Sequence, residues 1–417
     1  MPKPASVVAS SQKLKLQTVA VGANNQKVTI SRRGAERLKN AHVWVYRSDI
    51  VSAENVTPGA LVNVADERGK FLGTALYSSS SQIAIRMLSS EGVADLPALL
   101  RQRIQQAIAY RERVVRDTDA YRVIFSEADF LPGLIVDRYN DLLSFQVLTQ
   151  AMDAKPVRQT ITSELKERLN PAAIIERVDA RILELEQISR RVPDDTSGEP
   201  NSTIFTMNGV RFHYDSAGGQ KTGAFLDQRE NYAAAAQYAR GEALDVFCYQ
   251  GGFALHLAPH CSRVTAVDSS RPALEVADRN ATLNEREIEW IEANAFDLLR
   301  DYSNSGRQFD TIVLDPPAFA KSKRTLDTAL RGYKELNLRA LKMLRPGGVL
   351  VTCSCSFHVG EMNFREVVAA AARDTGKNLR IIESRGQSKD HPILLSVPET
   401  AYLKCFIIEV NCLKLTT

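Results

Sequence analysis

What is scarce in this chain narrows its reading first. No stretch of the 417 residues approaches the roughly 18 consecutive apolar positions that a spanning helix needs, which excludes an integral helical membrane protein. Six cysteines (Cys248, Cys261, Cys353, Cys355, Cys405 and Cys412) lie in the last 170 residues, with no pair at CxxC spacing and no histidine cluster nearby. No metal site is therefore expected, and a reducing, cytoplasmic compartment fits. Charge of one sign is equally scarce: 53 Lys+Arg face 49 Asp+Glu, a formal excess of +4. Lys3, Lys13, Lys15 and Lys27 stand in an acid-free opening stretch and equal that excess. Lacking the apolar core of a secretory signal and the arginines of a transit peptide, residues 1–25 read as a basic flexible tail. The rest, 44% hydrophobic and 24% charged, describes a globular chain of two or three domains.

Short apolar or alternating runs broken by turn residues fill Val28 to Leu88 and predict a small β-rich domain over 26–100. Arg101 to Asp117 then spaces Ile104, Ala107, Ile108, Arg111, Val114 and Val115 as one helical stripe, with Arg101, Arg103, Arg113 and Arg116 on a solvated face. Strand-like runs at 134–136, 142–147 and 174–175, with a helix from Pro156 to Arg168, complete a central α+β domain over 101–202. Asn208-Gly209 sits between two alternating runs, as a type I′ hairpin turn requires. Over 203–417 the rhythm changes to short apolar runs, 243–248, 264–268, 288–291, 311–314 and 349–352, separated by helical stretches such as 272–283 and 326–343. That alternation predicts an open, mainly parallel α/β sheet whose ligands bind beyond the carboxyl ends of the strands.

Four features fall at four successive strand ends. Tyr249-Gln250-Gly251-Gly252 follows the first, without the spacing of a dinucleotide fingerprint; Asp268-Ser269 closes the second, where an acid can accept both hydroxyls of a ribose. Asn294 to Asp297 follows the third, placed for an adenine edge, and Asp315-Pro316-Pro317 ends the fourth. Singly, each has a structural reading: Gly251 as a turn, Asp268 as a helix cap, the prolines as a strand stop.

Together they resemble the class I S-adenosylmethionine-dependent methyltransferases, and in particular the ribosomal RNA large-subunit methyltransferase I family, which modifies cytosine C5 in 23S RNA. The resemblance includes Gly219 to Asn231, Leu131 to Tyr139, Asp390-His391-Pro392 and Tyr402-Leu403-Lys404, with Gly34 and His42 to Tyr46 similar to the opening of a PUA domain. It implies a Rossmann-like methyltransferase sheet at the C-terminus, preceded by a PUA-like RNA-binding domain and the α+β domain. It also implies S-adenosyl-L-methionine as cofactor, held by Phe225, Asp227, Arg229, Tyr249, Gly251, Asp268, Ser269, Asn294, Asp297, Asp315 and Pro316, with Arg229 on its carboxylate. The implied partner is 23S rRNA or a large-subunit assembly intermediate, and no membrane; a homodimer is left open.

Cytosine C5 is a poor nucleophile, so its methylation requires a thiolate to add first at C6. Cys355 matches the family's cysteine and is the expected nucleophile, with Asp315 as the acid at cytosine N3; alternation puts Cys353 on the same face, so spacing alone does not dismiss it. The chain departs from the two-cysteine RNA cytosine methyltransferases, having Asp315-Pro316-Pro317-Ala318 where they carry a second cysteine. Proton removal from C5 then falls to water or another group, with Lys321 and His391 as candidates. Two alternatives stand: a class I RNA N-methyltransferase, which needs no thiolate, and a non-catalytic RNA-binding ribosome assembly factor.

Overall fold

A computed structural model describes residues 26–188, 200–216, 224–320 and 322–411. The expected basic tail, Lys321, Cys412, the Gly219 to Gly223 part of the family block and most of the polar loop near 193–202 lie outside the described residues.

The N-terminal unit comprises β1 (Lys27–Ile30), α1 (Arg32–Lys39), β2 (Trp44–Tyr46), β3 (Ile50–Ser52), β4 (Leu61–Asp66), β5 (Phe71–Tyr77) and β6 (Ile83–Ser89). They form one sheet in the order β2-β6-β5-β4-β1-β3, in which only the β1–β4 pair is parallel. Val28, Ile30, Val45, Val62, Val64 and Ile85 supply its own small core. Ser31 caps α1 by accepting from the Gly34 amide, and a side chain at Gly34 would press on Asp49 and Val45.

Helix α2 (Leu96–Val114) leaves this sheet, capped by Asp95, and buries Leu100, Ile104, Ala107 and Arg111. Arg101, Arg113 and Arg116 are exposed as expected, but Arg103 is drawn in: its guanidinium donates to the Phe130 carbonyl at 2.5 Å and to that of Leu88. Burial brings its pKa down to about 10. The helix packs on a central sheet of β7 (Ala120–Phe125), β8 (Leu134–Tyr139), β9 (Leu142–Val147) and β10 (Ala173–Glu176), order β10-β9-β8-β7. Between β9 and β10 run α3 (Gln150–Asp153) and α4 (Lys155–Leu169), and α5 (Ala180–Glu186) follows.

Strands β11 (Ser202–Met207) and β12 (Val210–Asp215) form the expected hairpin, with Asn208 and Gly209 both at positive φ, 51° and 81°. Its apolar face is shared: Tyr214 stacks on Tyr139 of β8 at 4.2 Å, while Phe212 lies 6.1 Å from His256 beyond the hairpin.

The C-terminal unit runs α6 (Arg229–Tyr238), β13 (Glu242–Val246), α7 (Gly252–Leu257), β14 (Arg263–Asp268), α8 (Arg271–Leu283), β15 (Glu289–Glu292), α9 (Ala295–Asn304), β16 (Phe309–Leu314), α10 (Leu326–Met343), β17 (Leu344–Ser354), α11 (Glu361–Thr375), β18 (Asn378–Arg385) and β19 (Lys404–Asn411). Strand order is β15-β14-β13-β16-β17-β19-β18, parallel except for β19. Side chains alternate as period two demands. Ala243, Ala266, Val313 and Val351 face the hairpin and α6; Leu244, Val267, Leu314 and Leu350 face α10 and α11. Strand β13 stops at Val246, two residues before the apolar run ends, because Phe247 takes a positive φ of 68°. Among the described residues no helix is long and apolar enough to cross a membrane.

Three arginine–aspartate pairs, each within one unit, lie where the central and C-terminal units meet, and Asp390 ties the two together. Arg122 forks onto Asp137 at 2.8 and 2.9 Å, Arg111 meets Asp129 at 2.5 Å, and Arg229 meets Asp390 at 3.0 Å. Asp390, fully buried, also accepts the Arg122 amide at 2.8 Å, while its backbone carbonyl accepts from Arg111 at 2.7 Å. Burial alone would raise its pKa, but His391 and Arg229 prevail and hold the carboxyl well below the usual carboxylate range. Asp390→Asn is expected to lose about 3–5 kcal/mol in denaturant unfolding at neutral pH, because it strands Arg229 as an unpaired buried charge. A depressed pKa stabilises above the unfolded value of about 3.9 and the benefit fades as pH falls toward the folded value, so the wild-type advantage should shrink in acid.

Candidate functional site

The order reverses between β13 and β16, whose carboxyl ends open the crevice where ligands of such sheets bind. The chain leaving β13 folds tightly, with Phe247, Tyr249 and Gly251 all at positive φ. Asp268 at the end of β14 clamps that loop: one carboxylate oxygen accepts the Tyr249 amide at 2.9 Å and the other the Ser270 amide at 2.8 Å. Below the loop, buried Asp245 accepts the Ala254 amide at 2.9 Å, and burial pushes its pKa up to about 8. Gly251 is a position of close approach, since a Cβ there would come within 3.0 Å of the Trp290 ring at an already positive φ.

The candidates at the third strand end are already engaged. The Asn294 side chain caps α9 by accepting the Phe296 and Asp297 amides, and Asp297 pairs with Arg300 at 2.7 Å. Beside them Phe296, exposed and 6.0 Å from Phe319, offers an apolar face that the sequence reading passed over. Ser269 is exposed next to Asp268.

Phe225 stands out from the crevice wall, half exposed and edge-on to Tyr249 at 5.1 Å. Asp227 accepts the Tyr402 hydroxyl at 2.6 Å. Arg229 is not brought to this surface. It is 2% exposed, its charge is answered by Asp390, and a second nitrogen donates to the Arg116 carbonyl at 3.2 Å. The guanidinium is thus buried and paired, although its Nε has no hydrogen-bond partner among the described residues. His391 is likewise 2% exposed, against Phe125 at 5.3 Å and 3.5 Å from Asp390, so it does not reach the crevice.

Asp315 and Cys355 do come together. Asp315 accepts from Gln228 Nε2 at 2.9 Å, and Gln228 is itself fixed by Asn231 at 2.7 Å. Burial, then the nearby Asp227, raise the Asp315 pKa to about 7. Cys355 follows the last residue of β17, partly exposed, its thiol 3.8 Å from the Pro316 carbonyl. Burial, Asp315 and Asp227 push that thiol up to about 12. Cys353 shares the face but is fully buried opposite Cys405, its register partner on β19. The two cysteines therefore differ in access, which spacing could not reveal. Gln228, Tyr402 and Lys404 are the site residues that sequence reasoning gave no role; Tyr402 and Lys404 lay in a motif already noted, and Gln228 between two chosen residues.

A group with an adenosyl ribose, a sulfonium and an amino acid end fits this set: a carboxylate at the end of β14, aromatic faces at Phe225, Tyr249 and Phe296, and an acid at the end of β16. Residues 141–407 match the S-adenosylmethionine-dependent methyltransferase family, and residues 28–90 the PUA-like domain. The ribosomal RNA large subunit methyltransferase I of Tolumonas auensis is 37% identical over 399 residues, covering 91% of this chain and 98% of its own. That of Vibrio cholerae is 38% identical over 386 residues, covering 89% and 96%. Among solved structures, SMU.776 complexed with SAH superposes with a TM-score of 0.75 at 18% identity over 92% of this chain and 100% of that one, a likeness of fold. With two fold families in the expected order and relatives matched nearly end to end, the chain belongs to the ribosomal RNA large subunit methyltransferase I family and is S-adenosylmethionine-dependent.

Proposed function

We propose that this protein methylates cytosine C5 in 23S ribosomal RNA, acting in the cytoplasm through a covalent bond between Cys355 and C6. The observation that carries the reading is the pairing of a partly exposed cysteine with a near-neutral carboxyl at adjacent strand ends of the crevice. Residues 26–100 would hold RNA, 101–202 would link, and 203–417 would do the chemistry. The cofactor would lie along Phe225, Asp227, Tyr249, Gly251, Asp268, Ser269, Asn294, Asp297, Asp315 and Pro316, with Arg229 buried behind them on Asp390.

Bound S-adenosylmethionine supplies an electrophilic methyl group on sulfur. The protein's part begins with Cys355 Sγ adding to C6, which moves electron density toward C5 and N3. Asp315, protonated in about half of molecules near its raised pKa of about 7, donates to N3 as that charge develops. Gln228 holds the carboxyl in place from behind. After methylation, water takes the C5 proton, the C5–H electron pair forms the C5–C6 double bond, the S–C6 bond breaks with its pair returning to sulfur, and the N3 proton goes back to Asp315.

Purified protein incubated with labelled S-adenosylmethionine and unmodified large-subunit RNA should yield 5-methylcytidine on nucleoside mass spectrometry; a methylated nitrogen instead would overturn the reading. Cys355→Ala is expected to lose turnover by about 10³-fold or more while binding S-adenosylmethionine within about twofold by calorimetry. Wild-type turnover in that variant would sink the covalent route. Asp315→Asn should lower kcat by roughly 10²–10⁴-fold. Because the acid form of Asp315 is the donor and is lost as pH rises through about 7, the alkaline limb of the pH–rate profile there should vanish in the variant.

A further inference from the structure

The nucleophile's surroundings pose a problem. Cys355 faces the carboxyls of Asp315 and Asp227, the hydroxyls of Tyr402 and Tyr333 and the carbonyl of Pro316, none of which favours a thiolate. Among the described residues the cation that faces it is Lys404, the first residue of β19 and the register partner of Ser354, one residue from Cys355. Its Nζ donates to two carbonyls, Ser356 at 2.7 Å and Tyr402 at 2.8 Å, which brackets the amine beside the thiol.

A neutral amine has two N–H bonds and one lone pair, and both hydrogens are accounted for by these carbonyls; the lone pair is left over. An ammonium would have one further N–H, again left over. In either state one position on Nζ is left over beyond these two carbonyls, while the Cys355 thiol itself lies against the Pro316 carbonyl at 3.8 Å. The titratable groups facing the lysine are Cys355 and Glu361.

Resting on Cys355 as nucleophile, we propose that Lys404 is its acid–base partner: neutral Nζ takes the thiol proton, and the resulting ammonium holds the thiolate. The S–H bond breaks and an N–H bond forms, with no other reactant. The sulfur lone pair so exposed adds to C6, and when the S–C6 bond later breaks its electron pair returns to a sulfur still beside the ammonium. Burial lowers the lysine to about 8, close enough to neutrality for the amine to be present at working pH.

The test is iodoacetamide labelling of the full chain across a pH series, with the Cys355 peptide quantified by mass spectrometry, in wild type, Lys404→Gln and Lys404→Arg. Lys404→Gln should slow Cys355 labelling about tenfold at neutral pH and leave it slower than wild type across the series, because the cation that favours the thiolate is gone. S-adenosylmethionine binding should be unchanged, which a merely structural role for the lysine would not produce together with the slowed labelling. A wild-type labelling profile in Lys404→Gln overturns the proposal. If that variant fails to unfold cooperatively, Lys404→Arg decides: its guanidinium keeps the charge but accepts no proton, so labelling should follow wild type while turnover falls at least about tenfold. Undiminished turnover in Lys404→Arg also overturns it. Full turnover in Cys355→Ala would refute the nucleophile, while labelling of Cys355 in the wild type would still report whether Lys404 controls the thiol, so the two failures are separable.

Discussion

The buried Asp390 carboxylate is the point on which the architecture turns. Its side chain receives Arg229 from the catalytic unit and the Arg122 amide from the central sheet, and its carbonyl receives Arg111 from the long helix. Three segments far apart in the chain are thereby placed relative to one residue on the connection between β18 and β19. Arginine is the residue for such a place, because a planar fork satisfies several acceptors at once and stays charged when buried. Each arginine has its own aspartate, so positive charge enters the interior already paired, which is the condition for burying it at all. Tyr402 and Lys404 follow 12 and 14 residues later, Lys404 as the first residue of β19.

Much of the fold was legible in the chain because period and punctuation agreed. The C-terminal runs became β13 to β17, the stretches at 272–283 and 326–343 became α8 and α10, and Asn208-Gly209 became the turn it resembled. The misjudged details share a cause. A backbone at positive φ ended β13 early at Phe247, and carbonyls from distant segments drew Arg103 inward. Neither is written in local spacing.

The site was legible as a set of strand ends and less so as a set of contacts. That Asp315 and Cys355 would be neighbours follows from adjacent parallel strands. That Arg229 would spend its charge on Asp390, 161 positions away, follows from nothing in its own block. Cys353 and Cys355 illustrate the same division: alternation gave them one face, and only the pairing of β17 with β19 separated a buried sulfur from an accessible one.

The stacked pair Tyr139–Tyr214 has a consequence for how such a chain can be cut or recombined. The hairpin carrying Tyr214 spreads its apolar face over both the central strands and the catalytic sheet, so the two share a core rather than a linker. A catalytic cassette lifted out at residue 203 would carry half of an aromatic stack into water. The central sheet and the methyltransferase sheet can therefore be inherited or transplanted intact only together, and the N-terminal sheet, although it has a core of its own, also lends Leu76 and Leu88 to the apolar layer under α2.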